Sequence, residues 1–147
     1  MKTRKNLIPD VVSGQALITL NMSDTARDAA VLMDSNRVSS VLVVNTQGEL
    51  SGIFTVRDVA RRVVGGHLDP DKTPLSRVMT KNPQCAAATE KPYIALQRMQ
   101  DSGFRHLPVT DDGTSKGKLM GIVSRKSFFP EEKAMLDFEE HLEQLIR

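Results

Sequence analysis

Apolar residues follow one helical pattern twice along the chain. The first helix face comprises Ala26, Ala29, Ala30 and Met33, and a shift of 66 positions aligns it with Pro92, Ala95, Leu96 and Met99. Both sets have the i, i+3, i+4, i+7 spacing of an amphipathic helix. Ser23 and Thr89 precede the two helices and are predicted to cap them, because a hydroxyl oxygen accepts a hydrogen bond from a free N–H of the first turn. The chain is therefore predicted to contain an internal repeat.

Two short strands are predicted after each helix. The first strand is Ser39–Val44 in one copy and His106–Val109 in the other. A turn follows, and the second strand, Gly48–Thr55, matches Gly117–Ser124 at an offset of 69 because the turn in the second copy is longer. The two strands of each copy are expected to pair as a hairpin.

A second helix closes the first copy. It is predicted to begin near Val56 and to end at Gly65–Gly66, with an inward face made of Val59, Ala60, Val63 and Val64. A polar linker over residues 67–74 and a helical turn over residues 75–79 lead into the second copy. Each copy is thus predicted to be a β-α-β-β-α unit. Since a unit of roughly fifty-odd residues has little core of its own, the copies are expected to pack together.

Composition narrows the class of protein. The 147 residues are 39% hydrophobic and 26% charged, as in ordinary folded chains. No apolar run approaches the ~20 residues that span a bilayer, so no membrane association is expected. Cys85 is the only cysteine, which leaves no intramolecular disulfide and no cysteine-rich metal site. A cytoplasmic protein is therefore expected.

The sequence gives no sign of catalysis. It contains no nucleophile with its base and no metal-ligand cluster in a recognisable spacing, so neither an enzyme nor a covalently bound cofactor is expected. A nucleic-acid partner is not expected either, because aromatic residues make up only 4% and offer no stacking platform. The three arginines of the second helix are interpreted as a solvated face: Arg57, Arg61 and Arg62.

The last residues predict a separate amphipathic helix. Residues 131–147 contain six acids and two bases, and Pro130 suits the first turn of a helix. An apolar stripe runs along this acidic segment through Met135, Phe138, Leu142, Leu145 and Ile146. The stripe either folds back on its own module or pairs with a second copy of the chain. We expect a homodimer with this helix in or beside the interface.

Four segments carry a resemblance to a known family. Two are copies of one motif, Gly52–Asp58 (Gly-Ile-Phe-Thr-Val-Arg-Asp) and Gly121–Ser127 (Gly-Ile-Val-Ser-Arg-Lys-Ser). The others are Val78–Pro83, which opens the second copy, and Phe104–Val109. Together and in this order they resemble the CBS-domain family, named after cystathionine β-synthase, whose tandem pair is called a Bateman module. The resemblance covers about residues 11–130.

The resemblance implies a fold and a function. The fold is α/β (α+β), with two pseudo-symmetric repeats over residues 11–70 and 78–130 packed as one module, followed by the helix over residues 131–147. Family modules bind AMP, ADP, ATP or S-adenosylmethionine in clefts between the copies and regulate an attached or associated protein. A regulatory module that binds an adenine nucleotide is therefore expected, with NADH also open as a ligand. The alternative is an interaction scaffold that only dimerises.

The first copy of the motif suits a nucleotide on chemical grounds. Gly52 lets the backbone approach a flat base, and Ile53 offers an apolar surface to the purine. Thr55 and Asp58 are three residues apart, so their side chains can face one cleft. The carboxylate can accept both hydrogen bonds of a ribose diol, and the hydroxyl suits a phosphate. The alternative for Asp58 is a helix cap.

The second copy departs from this pattern. Ser127 stands where the acid should be, while Ser124 keeps the hydroxyl, so one competent site is expected. The resemblance implies that the opening strand of the second copy completes this site with Thr80, Asn82 and Pro83. It also implies that Arg105 and His106 reach the phosphates. Their alternatives are a solvated charge for Arg105 and a strand histidine bonded to a backbone carbonyl for His106.

Overall fold

The computed structural model describes residues 4–146, except the side chains of residues 130–137. The first copy consists of β1 Thr19–Asn21, α1 Ala26–Asn36, β2 Ser40–Val44, β3 Leu50–Thr55 and α2 Val56–Asp58, with a π-helical turn Val59–Val64 after α2. The helix α3 Leu75–Val78 and the strand β4 Thr80–Lys81 connect the copies. The second copy consists of β5 Ala86–Ala87, α4 Pro92–Ser102, β6 His106–Thr110, β7 Leu119–Ser124 and α5 Arg125–Phe128, and α6 Pro130–Ile146 follows.

The two copies have the same sheet topology. In each, a short first strand lies parallel to the central strand, and the central strand pairs antiparallel with the third. The hairpins also share a register irregularity, between Val43 and Val44 in the first copy and between Val109 and Thr110 in the second. The predicted β-α-β-β-α order and the α+β fold class are therefore confirmed.

Each copy is completed by a segment that precedes the other copy along the chain. Strand β4 pairs antiparallel with β3, with Ile53 opposite Thr80, and the buried Leu75 of α3 lies in the core of the first copy. A short helical turn, Leu7–Val11, packs on the core of the second copy, where Ile8 N donates to the Ala88 carbonyl oxygen at 3.1 Å. The two copies are therefore interlocked along the chain.

Three apolar clusters form the core among the residues that the structure describes. The first surrounds Phe54 beneath α1, and the second surrounds Leu107 beneath α4. The third lies between the two sheets, where Leu42 and Ile53 of the first copy meet Ile122 of the second. Burial of apolar side chains stabilises by about 25 cal/mol per Å² removed from water, so this shared cluster joins the copies into one body, as expected.

The helix caps differ from the prediction. Helix α1 is capped by Thr25 and not by Ser23, because the Thr25 hydroxyl accepts from Asp28 N and the Asp28 carboxylate accepts from Thr25 N. This reciprocal pair is a capping box. Helix α4 begins at Pro92, and no side chain caps it, so the prediction for Thr89 is also wrong. Proline lacks an N–H and leaves one donor fewer to satisfy at this end.

The π-helical turn after α2 changes which residues are buried. Val63 is buried as predicted and Val59 is partly buried, whereas Ala60 and Val64 are exposed. The hydrogen bonds of this turn span five residues, as in the bond from Gly65 N to the Ala60 carbonyl oxygen at 2.9 Å. The three-and-four spacing of an α-helix therefore does not identify the buried face here.

Helix α6 carries the predicted apolar stripe. Phe138, Leu142, Leu145 and Ile146 are all exposed, from 43% to 84%. Nothing in the described part of this stripe folds back on the module; the side chain of Met135 lies outside the described residues. Within residues 4–146, no helix has the length and apolar character needed to cross a membrane.

Candidate functional site

A large cleft between the two copies gathers nearly all of the predicted site residues. Its volume is about 1230 Å³. The predicted residues that line it are Ile53, Thr55, Asp58, Thr80, Asn82, Pro83, Arg105, His106 and Ser124. The walls come from the end of β3 and the start of α2 on one side and from β4 and the second copy on the other. Residues that are 71 positions apart in the chain, such as Ile53 and Ser124, thereby share one cavity.

Gly52 is the predicted site residue that does not line the cleft. A Cβ atom built on Gly52 would stand 2.5 Å from Met79 Sδ and 2.9 Å from the Thr80 carbonyl oxygen. The absence of a side chain is thus used to let β4 and Met79 approach β3. In the structure, the space beside Gly52 is filled by Met79 and β4 and not by the base that the sequence predicts there.

Thr55 and Asp58 form a capping box at the start of α2. Thr55 N and Thr55 Oγ1 donate to Asp58 Oδ2 at 3.0 and 3.1 Å, and Asp58 N donates to Thr55 Oγ1 at 3.2 Å. The Asp58 side chain is 14% exposed and borders the cleft. Capping and exposure to the cleft therefore coexist at Asp58, and the two interpretations of the sequence are not alternatives in the structure.

Arg62 connects the two walls of the cleft. Its Nε lies 3.5 Å from Asp58 Oδ1, and its Nη1 donates to the carbonyl oxygens of Val78 and Met79, both at 2.9 Å. Its Nη2 donates to Thr80 Oγ1 at 3.4 Å. Arg62 is exposed, as expected for a solvated face, and it also contacts Asp58 and the segment at the start of β4. No pattern in the sequence indicates the contacts with Val78, Met79 and Thr80, because these residues lie 16 to 18 positions away.

The corresponding part of the second copy is built differently. Ser124 N donates to Ser127 Oγ at 3.2 Å, so the serine takes the acid's place in the helix start, and it does not line the cleft. The backbone of Ile122 is bonded by the side-chain amide of Gln15, with Ile122 N donating to Oε1 at 2.8 Å and Nε2 donating to the Ile122 carbonyl oxygen at 3.2 Å. Gln15 thus bonds the edge of β7 at Ile122, which corresponds to Ile53, the residue of β3 that pairs with Thr80.

His106 and Ser39 both line the cleft and form a contact between the two copies. His106 Nε2 and Ser39 Oγ are 2.9 Å apart. Burial lowers the pKa of His106; the neighbouring Arg105 and Lys126 cations lower it further, against the opposing effect of Asp58. The partner of His106 is therefore a side-chain hydroxyl of the other copy and not a backbone carbonyl. The lowered pKa favours the uncharged form of the imidazole.

Further cations line the cleft beyond those predicted. They are Arg57, Arg61, Arg125 and Lys126. Arg57 and Arg61 are exposed, as expected for a solvated face, and they also border the cleft. A signal was present in the sequence, because the offset of 69 that relates the motifs places Arg57 on Lys126. The Arg125 guanidinium lies over the Phe129 ring, 5.5 Å from its centroid. Such contacts hold a cation in place at a partly exposed site.

The described residues offer neither a metal site nor an activated thiol. No group of three or more potential ligands comes together among them. Burial raises the pKa of the Cys85 thiol, although Arg98 opposes this effect. A raised pKa keeps the thiol protonated and weakly nucleophilic. The polar groups that line the cleft are one carboxylate, several hydroxyls and a set of cations.

Comparison with known proteins identifies the family. The profile of the CBS domain matches residues 9–65 and 75–130. The chain belongs to the CBS-domain family. Two CBS domains in tandem therefore make up most of this chain, and modules of this family are generally regulatory.

Curated relatives are larger proteins. The CBS domain-containing protein CBSCBSPB2 of Arabidopsis thaliana is 41% identical over 96 residues, which cover 65% of this chain and 18% of the relative. The meiotically up-regulated gene 70 protein of Schizosaccharomyces pombe is 33% identical over 135 residues, which cover 86% of this chain and 18% of the relative. The CBS module thus spans less than a fifth of the length of either relative.

Solved structures of CBS proteins share the fold over most of the chain. An uncharacterized conserved protein from Pyrococcus horikoshii is 26% identical, with a TM-score of 0.77 and coverage of 90% of this chain and 95% of that one. A CBS-domain containing protein from Agrobacterium tumefaciens is 25% identical, with a TM-score of 0.74 and coverage of 86% and 93%. A CBS domain protein from Pyrobaculum aerophilum, complexed with AMP, is 21% identical, with a TM-score of 0.73 and coverage of 88% and 95%.

Proposed function

We propose that this tandem CBS module is a regulatory sensor that binds one adenine nucleotide in the cleft between its copies, on the side of Asp58. The observation that carries the proposal is the meeting of Asp58, Thr80 and Arg105 in one cavity of about 1230 Å³. These residues supply a carboxylate, a hydroxyl and a guanidinium. A ribose and a phosphate need such groups together.

The assignment of subsites follows the chemistry of the walls. Asp58 accepts from the ribose hydroxyls, and Ile53 and Pro83 provide apolar surface for the purine. The Thr55 hydroxyl contacts phosphate once its bond to Asp58 is redirected. Arg105 and His106 line the cleft and receive the phosphates, with Asn82 and Ser124 as further hydrogen-bonding groups.

The charge of the cleft favours an anionic ligand. Arg57, Arg61, Arg105 and Lys126 line it, whereas Asp58 is the carboxylate that lines it among the described residues. Cations around a partly enclosed cavity concentrate anions near it. AMP, ADP, ATP and NADH carry phosphate charge, while S-adenosylmethionine carries a sulfonium cation and should bind more weakly. The AMP complex of the Pyrobaculum aerophilum protein makes AMP a suitable first probe.

Isothermal titration calorimetry of the purified chain tests the proposal. The ligands are AMP, ATP, NADH, S-adenosylmethionine and adenosine. We expect AMP or ATP to bind with one site per chain and more tightly than adenosine or S-adenosylmethionine. If none of the five binds at millimolar concentration, the nucleotide proposal fails and the interaction scaffold takes its place.

We propose further that the module acts as a homodimer in the cytoplasm and regulates a partner protein or an attached domain. The exposed stripe of Phe138, Leu142 and Leu145 on α6 supports an interface, because an apolar helix face in water is unfavourable until it is covered. Light scattering with and without AMP measures the assembly. A monomer at micromolar concentration would contradict the dimer, and a dimer that persists after removal of residues 131–147 would place the interface elsewhere.

A further inference from the structure

We infer that Arg62 is a positioning residue that fixes Asp58 against β4 and thereby sets the specificity of the cleft for the ribose hydroxyls. The inference rests on the proposed nucleotide function. It concerns a residue that contacts Asp58 and Thr80 but does not itself line the cleft.

The contacts of Arg62 reach both walls. Toward the first copy, its Nε lies 3.5 Å from Asp58 Oδ1. Toward β4, Nη1 donates to the carbonyl oxygens of Val78 and Met79 at 2.9 Å each, and Nη2 donates to Thr80 Oγ1 at 3.4 Å. The guanidinium is planar and its donors have a fixed geometry. Positions of Asp58 and of the backbone before β4 are therefore linked through one rigid group.

The Asp58 carboxylate is held from two sides. Its Oδ2 accepts from Thr55 N and Thr55 Oγ1, and its Oδ1 faces Arg62. With both oxygens contacted, rotation of the carboxylate about its terminal bond is restricted. A carboxylate that is already oriented loses little entropy when it accepts hydrogen bonds from a ligand. Arg62 thus contributes to ribose binding without touching the ribose.

The second copy lacks both members of this pair. The offset of 69 places Asp58 on Ser127 and Arg62 on Glu131. There the corresponding sheet edge is held by Gln15, whose amide bonds only the backbone of Ile122. The acid and its arginine are thus present together in one copy and absent together from the other. This agrees with one function for the pair.

The test compares AMP with 2′-deoxy-AMP on the full chain. In the wild type, loss of a hydrogen bond to the charged carboxylate should weaken binding about tenfold. In Arg62→Ala and Arg62→Lys, AMP affinity should fall about two- to fivefold. Affinity for 2′-deoxy-AMP should fall by a smaller factor, because this ligand keeps only its 3′-hydroxyl as a donor to Asp58, so the discrimination between the two ligands shrinks. Lysine at position 62 should not restore the discrimination, because its ammonium group lacks the planar fork of the guanidinium.

Two further variants separate positioning from a general loss of charge or stability. Arg27, which pairs with Asp71 on the surface away from the cleft, provides the control: Arg27→Ala should change neither affinity. In an Asp58→Ala background, Arg62→Ala should cause no further loss of AMP affinity. Unchanged discrimination in Arg62→Ala, or an equal loss for both ligands, would overturn this inference alone. A wild type that binds no AMP would overturn the proposed function and the inference with it.

Discussion

Replacing Asp58 with alanine separates the two roles of its carboxylate. In the structure the carboxylate closes the capping box of α2 by accepting from Thr55 N and Thr55 Oγ1 at 3.0 and 3.1 Å. It also borders the cleft, where we propose that it accepts from ribose hydroxyls. The variant should therefore lose both stability and nucleotide affinity, and the two losses are measured by different assays.

The loss of stability follows from the cap and the ion pair. Removal of a capping acceptor costs about 1 kcal/mol, and a half-exposed i,i+4 ion pair such as that with Arg62 adds about 0.3–0.5 kcal/mol. For a chain of this length, a total of about 1.5 kcal/mol lowers Tm by roughly 3–6 °C. Thermal unfolding in the absence of nucleotide measures this part.

The loss of affinity should be larger. A hydrogen-bonding group that carries charge contributes about 1.5–3 kcal/mol, which corresponds to a roughly 10- to 150-fold increase in Kd. Calorimetry at 25 °C measures it below the unfolding transition, so the weakened cap does not reduce the folded fraction. The AMP titration of Asp58→Ala should give an unchanged stoichiometry of one with this weaker Kd.

Helix α1 supplies a matched control. Its capping box has nearly the same geometry, with Thr25 N donating to Asp28 Oδ2 at 3.0 Å and Asp28 N donating to Thr25 Oγ1 at 3.1 Å. Asp28 does not line the cleft. Asp28→Ala should therefore lower Tm and leave AMP affinity unchanged. The reasoning is refuted if Asp58→Ala binds AMP like the wild type, or if Asp28→Ala weakens AMP binding to the same extent.

Three other substitutions test the rest of the cleft. Arg105→Ala should reduce the preference for AMP over adenosine about tenfold, as calorimetry with both ligands will show; an undiminished preference would remove Arg105 from the phosphate subsite. Because burial holds the pKa of His106 below its usual range in the free protein and a bound phosphate would raise it, AMP affinity should increase as pH falls through the pKa of the complex. For one proton, AMP affinity changes by at most about tenfold per pH unit. Between about pH 8.5 and 6.5, which lies above the phosphate's own pKa of about 6, the AMP affinity of His106→Gln should depend less on pH than that of the wild type. Ser127→Asp should add a second, weaker AMP site per chain, and a stoichiometry that stays at one would show that the missing acid is not what limits the second copy.

The repeat is what made most of the fold predictable. Because the two copies share one pattern, the prediction of a helix and a hairpin in one could be checked against the other, and the structure has both hairpins where they were expected. The cleft could also be predicted, since the resemblance to the CBS-domain family implies which segments of the two copies face each other. Nine of the ten predicted site residues line one cavity for this reason.

The remainder depends on contacts that a single sequence does not reveal. Arg62 and Gln15 act on backbone groups far along the chain, and backbone carbonyls carry no residue-specific signal. The space above Gly52 is filled by Met79, a side chain whose position is set by β4 pairing. The exposed Val64 follows from a π-helical turn, which periodic patterns do not show.

Helix α3 and strand β4 follow the linker in the sequence, but they pack with the first copy in the structure. Leu75 and Val78 fill the core of the first copy although they follow the linker, and Leu7 fills the core of the second although it precedes the first. A protease cut between residues 67 and 74 would therefore leave two fragments, each of which carries core residues that belong to the other copy. Neither half is a separate thermodynamic unit, and heat should melt the module in a single cooperative transition. A ligand that contacts both Asp58 and Thr80 would raise the temperature of that one transition for the whole module.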